Sequence, residues 1–244
     1  MDNREAHNKL VGLANTRPED EAECGTTATV AVLLPSDKLL IGWVGDSMAI
    51  VFRPPGEDTL QRPCRSTRSK KVYPEILLRL QEHTLFVDRE YERVVREGGI
   101  ITEMSPTTRK LLPPGVPLEV IKKRRVCFRP HFRSSSLFTL SLQPQLAINM
   151  SRALGHVVLS RCGLSPEPEF SPLVPVQAGD RLLLASDGLL RGQTTMDVAS
   201  AACEEVRAEA SAPRLVERSL AWDRENAVQS DNTTCVCVHL RSAS

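Results

Sequence analysis

Three aspartates stand where apolar runs stop: Asp46 in WVGDS, Asp187 in LLLASDGL and Asp231 in QSDNTT. Each has Gly, Ser or Asn beside it, and each adjoins a run expected to be buried. A carboxylate at the rim of a core is costly to desolvate unless a cation or hydrogen bonds compensate it. Three such carboxylates in one chain point to a shared site for a hard cation. Mg2+ and Mn2+ prefer oxygen ligands of this kind and keep several waters. Taken singly, S-D-G or G-D-S is ordinarily a turn in which Asp bonds its own backbone, and that alternative stands for each aspartate alone.

The elements that would position these residues follow from patterning. TTATVAVLL (Thr26 to Leu34) and LLIGWVGDSMAIVF (Leu39 to Phe52) flank P-S-D-K, which predicts a hairpin of buried strands. DREYERVVRE (88–97) predicts an amphipathic helix with Tyr91, Val94 and Val95 on one side, closed by Gly98-Gly99. DRLLLAS (180–186) predicts a buried strand, and TTCVCVHL (233–240) an alternating one. Two helices are expected over 194–209 and 213–222, with Pro213 opening the second. Residues 1–13 read as the tail of a helix. Hairpins mixed with helix pairs argue for an α+β fold rather than a βαβ repeat.

Composition sets bounds. With 244 residues, 41% hydrophobic, 25% charged and a net charge of +1, the chain suits one globular domain spanning 1–244. The near-neutral balance gives no global pull towards nucleic acid or membrane. No run reaches the ~18 apolar residues of a membrane span, and the polar N-terminus carries no signal-peptide pattern. Seven scattered cysteines suggest a reduced, intracellular setting, cytoplasmic with the nucleus left open. Cys235 and Cys237 form a C-x-C pair with no second ligand pair at zinc spacing, so core packing is the reading preferred over a metal role. Basic, Pro-rich stretches near 53–71 and 105–136 read as insertions facing water. The sharper alternative is a docking surface for an acidic or phosphorylated partner. Nucleic acid fits less well, because only Phe128 and Phe132 interleave with the charge.

In order along the chain, these motifs resemble the metal-dependent PPM-type (type 2C-like) protein serine/threonine phosphatases. ECGTTA (23–28) is similar to that family's G-S-T-A strand start, and VGDS (44–47) to its aspartate-bearing strand. His83-Thr-Leu, Glu92-Arg93 and Gly98-Gly99 resemble D-H-x-P…E…R-I…G-G. LAINMSRALG (146–155), LLLASDGL and SDNTTCVCV (230–238) resemble three further family motifs. The resemblance implies a four-layer αββα sandwich of two antiparallel sheets flanked by helices. It implies hydrolysis of phosphoserine and phosphothreonine in phosphoprotein substrates by a water shared between two Mg2+ or Mn2+ ions. By motif position Asp187 and Asp231 are the implied metal ligands, and Asp46 belongs to a weaker third site. Gly188, Ser230 and Asn232 support the loops.

Three departures qualify what is implied. The family's N-terminal D-G-H-G-G is absent, since the sole D-G is Asp187-Gly188, so the chain is expected to begin inside the domain with half the metal site missing. His156 stands where the family has Asp after S-R-A-L-G, either as a ligand or proton carrier or as a neutral loop residue. Arg191 stands where the family has Asp after S-D-G-L-L, and would repel a cation. Two readings result: a weak or inactive phosphatase, or a non-catalytic phosphatase-like module that docks a partner.

Overall fold

The computed structural model describes residues 24–56, 72–104, 109–111, 116–121, 126–129, 147–205, 207–227 and 231–241. Ser230, the expected N-terminal helix tail and most of the basic stretch at 53–71 lie outside these residues. The first strands in chain order are β1 (Gly25–Thr26), β2 (Ala28–Leu34), β3 (Lys38–Val44), β4 (Met48–Arg53) and β5 (Glu75–Arg79). Then come β6 (Ile100–Met104), β7 (Arg109–Leu111), β8 (Val126–Arg129) and β9 (Leu154–Gly155). The last are β10 (Glu169–Phe170), β11 (Val174–Pro175), β12 (Arg181–Ala185) and β13 (Cys235–His239). The helices are α1 (Asp88–Arg96), α2 (Leu118–Ile121), α3 (Val157–Ser160), α4 (Thr195–Cys203) and α5 (Ala208–Glu225). The chain divides into two compact units, one of residues 1–28, 43–46 and 82–169, the other of residues 29–42, 47–81 and 170–244.

The second unit holds an antiparallel sheet in the order β13-β12-β4-β5. Its inner strand β4 is buried along Met48 to Phe52, on both faces, as its unbroken apolar run requires. Met48, Ile50 and Phe52 pack with Leu183 and Ala185 against Val198, Ala199, Ala202 and Leu215 of the helix pair α4–α5. A reciprocal capping box starts α4: Thr194 Oγ1 accepts from the Asp197 N–H, and the Asp197 carboxylate accepts from the Thr194 N–H. Cys235 and Cys237 of β13 lie against this apolar cluster, the place the core reading gave them, and burial pushes both thiols above their ordinary range.

Four expectations change here. The run from Leu39 to Phe52 is two strands, β3 and β4, because Gly45 has φ +107° and turns the chain at Gly45–Ser47. β2 does pair with β3, but Val30, Val32 and Leu33 are exposed rather than buried. Helix α5 begins at Ala208, so Pro213 lies inside it and removes a backbone bond to the Glu209 carbonyl. The α5 face that turns inward carries Ser211, Leu215, Ser219 and Asp223 at four-residue spacing; Leu215 joins the apolar cluster, and the Ser211 and Ser219 hydroxyls donate to the Arg207 and Gly188 carbonyls. Finally, part of the basic 105–136 stretch is not loop: β7 and β8 flank β6 in a three-stranded antiparallel sheet. Pairing with β6, distant in sequence from β8, overrides the local Pro-rich composition.

The first unit is organised by a buried charge. Glu90 of α1 is fully buried, and it accepts from Arg152 Nη2 (2.5 Å), Arg93 Nη2 (2.7 Å) and Ser151 Oγ (2.7 Å). Arg152 also bridges to Glu169 Oε1 at 2.6 Å and to the Glu167 carbonyl at 3.0 Å. Burial alone would push the Glu90 carboxyl up, but the hydrogen bonds from Arg152, Arg93 and Ser151 win and hold it down to about 2. Of the helix side expected to face inward, Val94 is buried and Tyr91 packs against the same cluster, whereas Val95 is exposed.

Candidate functional site

In the second unit, the aspartates at the end of β12 and before β13 are held by a stitched pair of loops. Asp187 opens a 3-10 turn, Asp187–Leu190, directly after Ser186. Ser186 N–H donates to the Thr234 carbonyl at 3.0 Å, its Oγ accepts from Thr234 N–H at 3.1 Å, and its Oγ donates to the Asn232 carbonyl at 3.2 Å. Gly188 is needed for that closeness: a Cβ there would stand 2.8 Å from both the Asn232 carbonyl oxygen and Thr233 Oγ1. Ser219 of α5 donates to the Gly188 carbonyl at 2.9 Å, fixing the turn from below. Gly188 and Asn232 bring the two loops into contact with each other.

The two carboxylates differ in their surroundings. The Asp187 side chain is exposed. Asp231 has both oxygens engaged: Oδ1 accepts from the Asn232 N–H at 2.9 Å and Oδ2 accepts from Arg191 Nη2 at 2.8 Å. The side chains of Arg191 and Asp231 are 26% and 40% exposed, so the pair is partly shielded from solvent.

In the first unit, Asp46 sits in the Gly45–Ser47 turn and is buried. Its Oδ2 accepts from Asn149 Nδ2 at 3.4 Å. The turn is braced by His83, whose N–H donates to the Gly45 carbonyl (3.0 Å) and whose Nδ1 accepts from the Gly45 N–H (3.0 Å). That bond puts the ring proton on Nε2. Trp43 stacks on the His83 ring at 5.5 Å between centroids. A Cβ on Gly45 would meet Thr27 Cγ2 at 2.3 Å, and φ is already positive. Gly45→Ala is therefore expected to cost about 1–3 kcal/mol through backbone strain and displacement of Thr27. Urea unfolding checks this, and a loss below ~0.5 kcal/mol would count against the turn being constrained. His156 takes a left-handed conformation (φ +47°), donates its N–H to the Cys24 carbonyl at 2.7 Å, and lays its ring over Gly25.

The donor set among the described residues does not fit a two-metal centre. Among the described residues no three His, Cys, Asp or Glu side chains come together to hold a metal ion. A divalent cation at Asp231 would face the Arg191 guanidinium across a few ångströms. At 4 Å that repulsion is about 2 kcal/mol in water and about 8 kcal/mol at an effective dielectric of 20. Sequence reasoning marked Arg191 as hostile to a cation but missed its pairing with Asp231. It also missed Glu90 and Asn149. The Glu90–Arg93 spacing of three on a predicted helix was the available signal for the first of these.

A mixed α+β architecture with antiparallel sheets and an S-D-G/S-D-N loop pair defines the class. The chain belongs to the protein phosphatase 2C family, whose profile matches residues 2–230. No match was found among curated proteins. Among solved structures, the fold resembles a serine-threonine phosphatase 2C from Toxoplasma gondii (TM-score 0.70, 21% identity), covering 97% of this chain and 64% of that one. It also resembles a C. elegans sex determining protein (TM-score 0.61, 18% identity, covering 98% of this chain and 45% of that chain). A third similar structure is the Mycobacterium tuberculosis serine/threonine phosphatase PstP/Ppp (TM-score 0.50, 19% identity, 96% and 68% covered). The chain spans just under two thirds of the first of these. The family is one of protein phosphatases. No helix among the described residues is long and apolar enough to cross a membrane.

Proposed function

We propose that this chain carries the phosphoserine/phosphothreonine phosphatase fold with an incomplete Mg2+/Mn2+ site, so that its own turnover is weak or absent. The carrying observation is the Arg191–Asp231 ion pair, which engages one of the two expected metal ligands. Asp187 and Asp231 remain the proposed metal-facing pair, and Asp46 the proposed third-site residue. Each missing carboxylate removes a ligand and leaves the mutual repulsion of two cations less compensated.

The same observation favours the second reading, a phosphatase-like module that binds a phosphorylated or acidic partner without hydrolysing it. A phosphopeptide assay of the full chain with Mn2+ separates the readings. The expected rate stays near that of the Asp187→Ala variant. Robust turnover in the unaltered chain that Asp187→Ala abolishes would overturn the proposal of weak or absent activity. Measured binding of a phosphopeptide with no release of phosphate would support the module.

A further inference from the structure

The Asp231 loop is built to hold its shape without an ion. We propose that Arg191 is a resident counter-cation: its guanidinium neutralises Asp231, so the stitched loops after β12 and before β13 are stable with no divalent metal. The inference builds on the preceding reading at this loop, but it concerns structure rather than turnover.

The placement of Arg191 is fixed from both sides. Its backbone N–H closes the 3-10 turn onto the Gly188 carbonyl, and Gly188 is itself held by Ser219. The next residue, Gly192, has φ +62°, and a Cβ there would stand 1.9 Å from Trp222 Cε2 of α5. That contact pins the chain as it leaves Arg191. Asp231 is preset in turn: Oδ1 is held by the Asn232 N–H, and its carbonyl accepts from Thr233 Oγ1 at 3.3 Å. The backbone at Arg191 and the carboxylate of Asp231 are therefore placed before the pair forms, so the ordering cost left is that of the Arg191 side chain. A short side chain at 191 would leave the Asp231 charge to be met by something else, and a second carboxylate there would invite a cation.

The test is thermal unfolding of the full chain in excess EDTA and in excess MnCl2. The unaltered chain and Asp231→Asn should show the same small response to manganese. Arg191→Asp should have a lower Tm in EDTA and regain about 5–10 °C at manganese about a hundredfold above its dissociation constant. Arg191→Gln, which adds no charge, serves if Arg191→Asp fails to fold. It should bind Mn2+ by paramagnetic resonance more tightly than the unaltered chain, and adding Asp231→Asn should remove that gain. A manganese-dependent rise in the unaltered chain that Asp231→Asn abolishes would overturn the inference, whatever the turnover. So would Arg191 variants that gain no manganese response. Turnover in a chain whose Tm ignores manganese would instead sink the functional proposal and leave this one standing.

Discussion

Replacing Glu90 with alanine should destabilise the first unit by about 3–5 kcal/mol, the cost of leaving one side of a buried ion pair without its partner. Glu90 is the point where three donors converge, and the side chains it would abandon are themselves shielded: Arg152 is 11% exposed and Arg93 17%. Arg152 would keep Glu169 and the Glu167 carbonyl, so part of its charge stays compensated. Arg93 would keep the Gly163 and Ser151 carbonyls, which satisfy its N–H groups without answering its charge. In a chain of this size the loss corresponds to a fall in Tm of about 6–20 °C. The exposed neighbour Glu92, two residues on, is the natural control and should move stability by less than ~0.5 kcal/mol. Equal effects of Glu90→Ala and Glu92→Ala in urea unfolding would remove the claim that this carboxylate organises the unit. A double-mutant cycle with Arg152→Ala should show coupling of about 0.5–3 kcal/mol, because the two side chains share one hydrogen-bonded network.

The contrast between Glu90 and Glu92 shows what a linear pattern conveys. A continuous hydrophobic run located β12 well, because a strand buried on both faces must be apolar throughout, and alternation located β13, whose Val236 is exposed. The Asp187 and Asp231 loops were legible from S-D-G and S-D-N, since tight turns demand small residues and local acceptors. Charges carried no such mark. A buried acid looks like a surface acid until the arginines that compensate it are placed, and Arg152 lies 62 residues from Glu90. The same limit hid the bond between Arg191 and Asp231, 40 residues apart. Non-local pairing also explains β7 and β8: only β6 turns their basic, Pro-interrupted sequence into a sheet. Where function was concerned, the sequence marked Arg191 as a departure from the family, and the geometry supplied its partner, Asp231.

Acid should unfold the first unit in two overlapping steps. The first belongs to His83. Burial lowers its imidazole from 6.5 to about 4, helped by the charge of Arg152 and opposed by Glu169 and Glu90. Its Nε2 lies 3.5 Å from Glu169 Oε2, too long to rescue the protonated form with a good hydrogen bond. A folded pKa below the unfolded one means the unfolded chain binds the extra proton first. The contribution of His83 is then complete above about pH 6.5 and is lost as pH falls towards 4. Glu90 follows the same sign lower down: its contribution is complete above about 4.5 and is lost as pH falls towards 2. Each shift is worth on the order of 3 kcal/mol at neutral pH. Urea unfolding should therefore show a plateau above pH 7 and a decline that begins before any ordinary carboxylate titrates. His83→Gln, whose amide oxygen can still accept from the Gly45 N–H, should remove the upper part of that decline and leave the lower part. A flat profile from pH 7 to pH 5 in the unaltered chain would show that His83 takes up its proton without leaving the fold, and the stacked, neutral ring under Trp43 would no longer account for how the Asp46 turn is held.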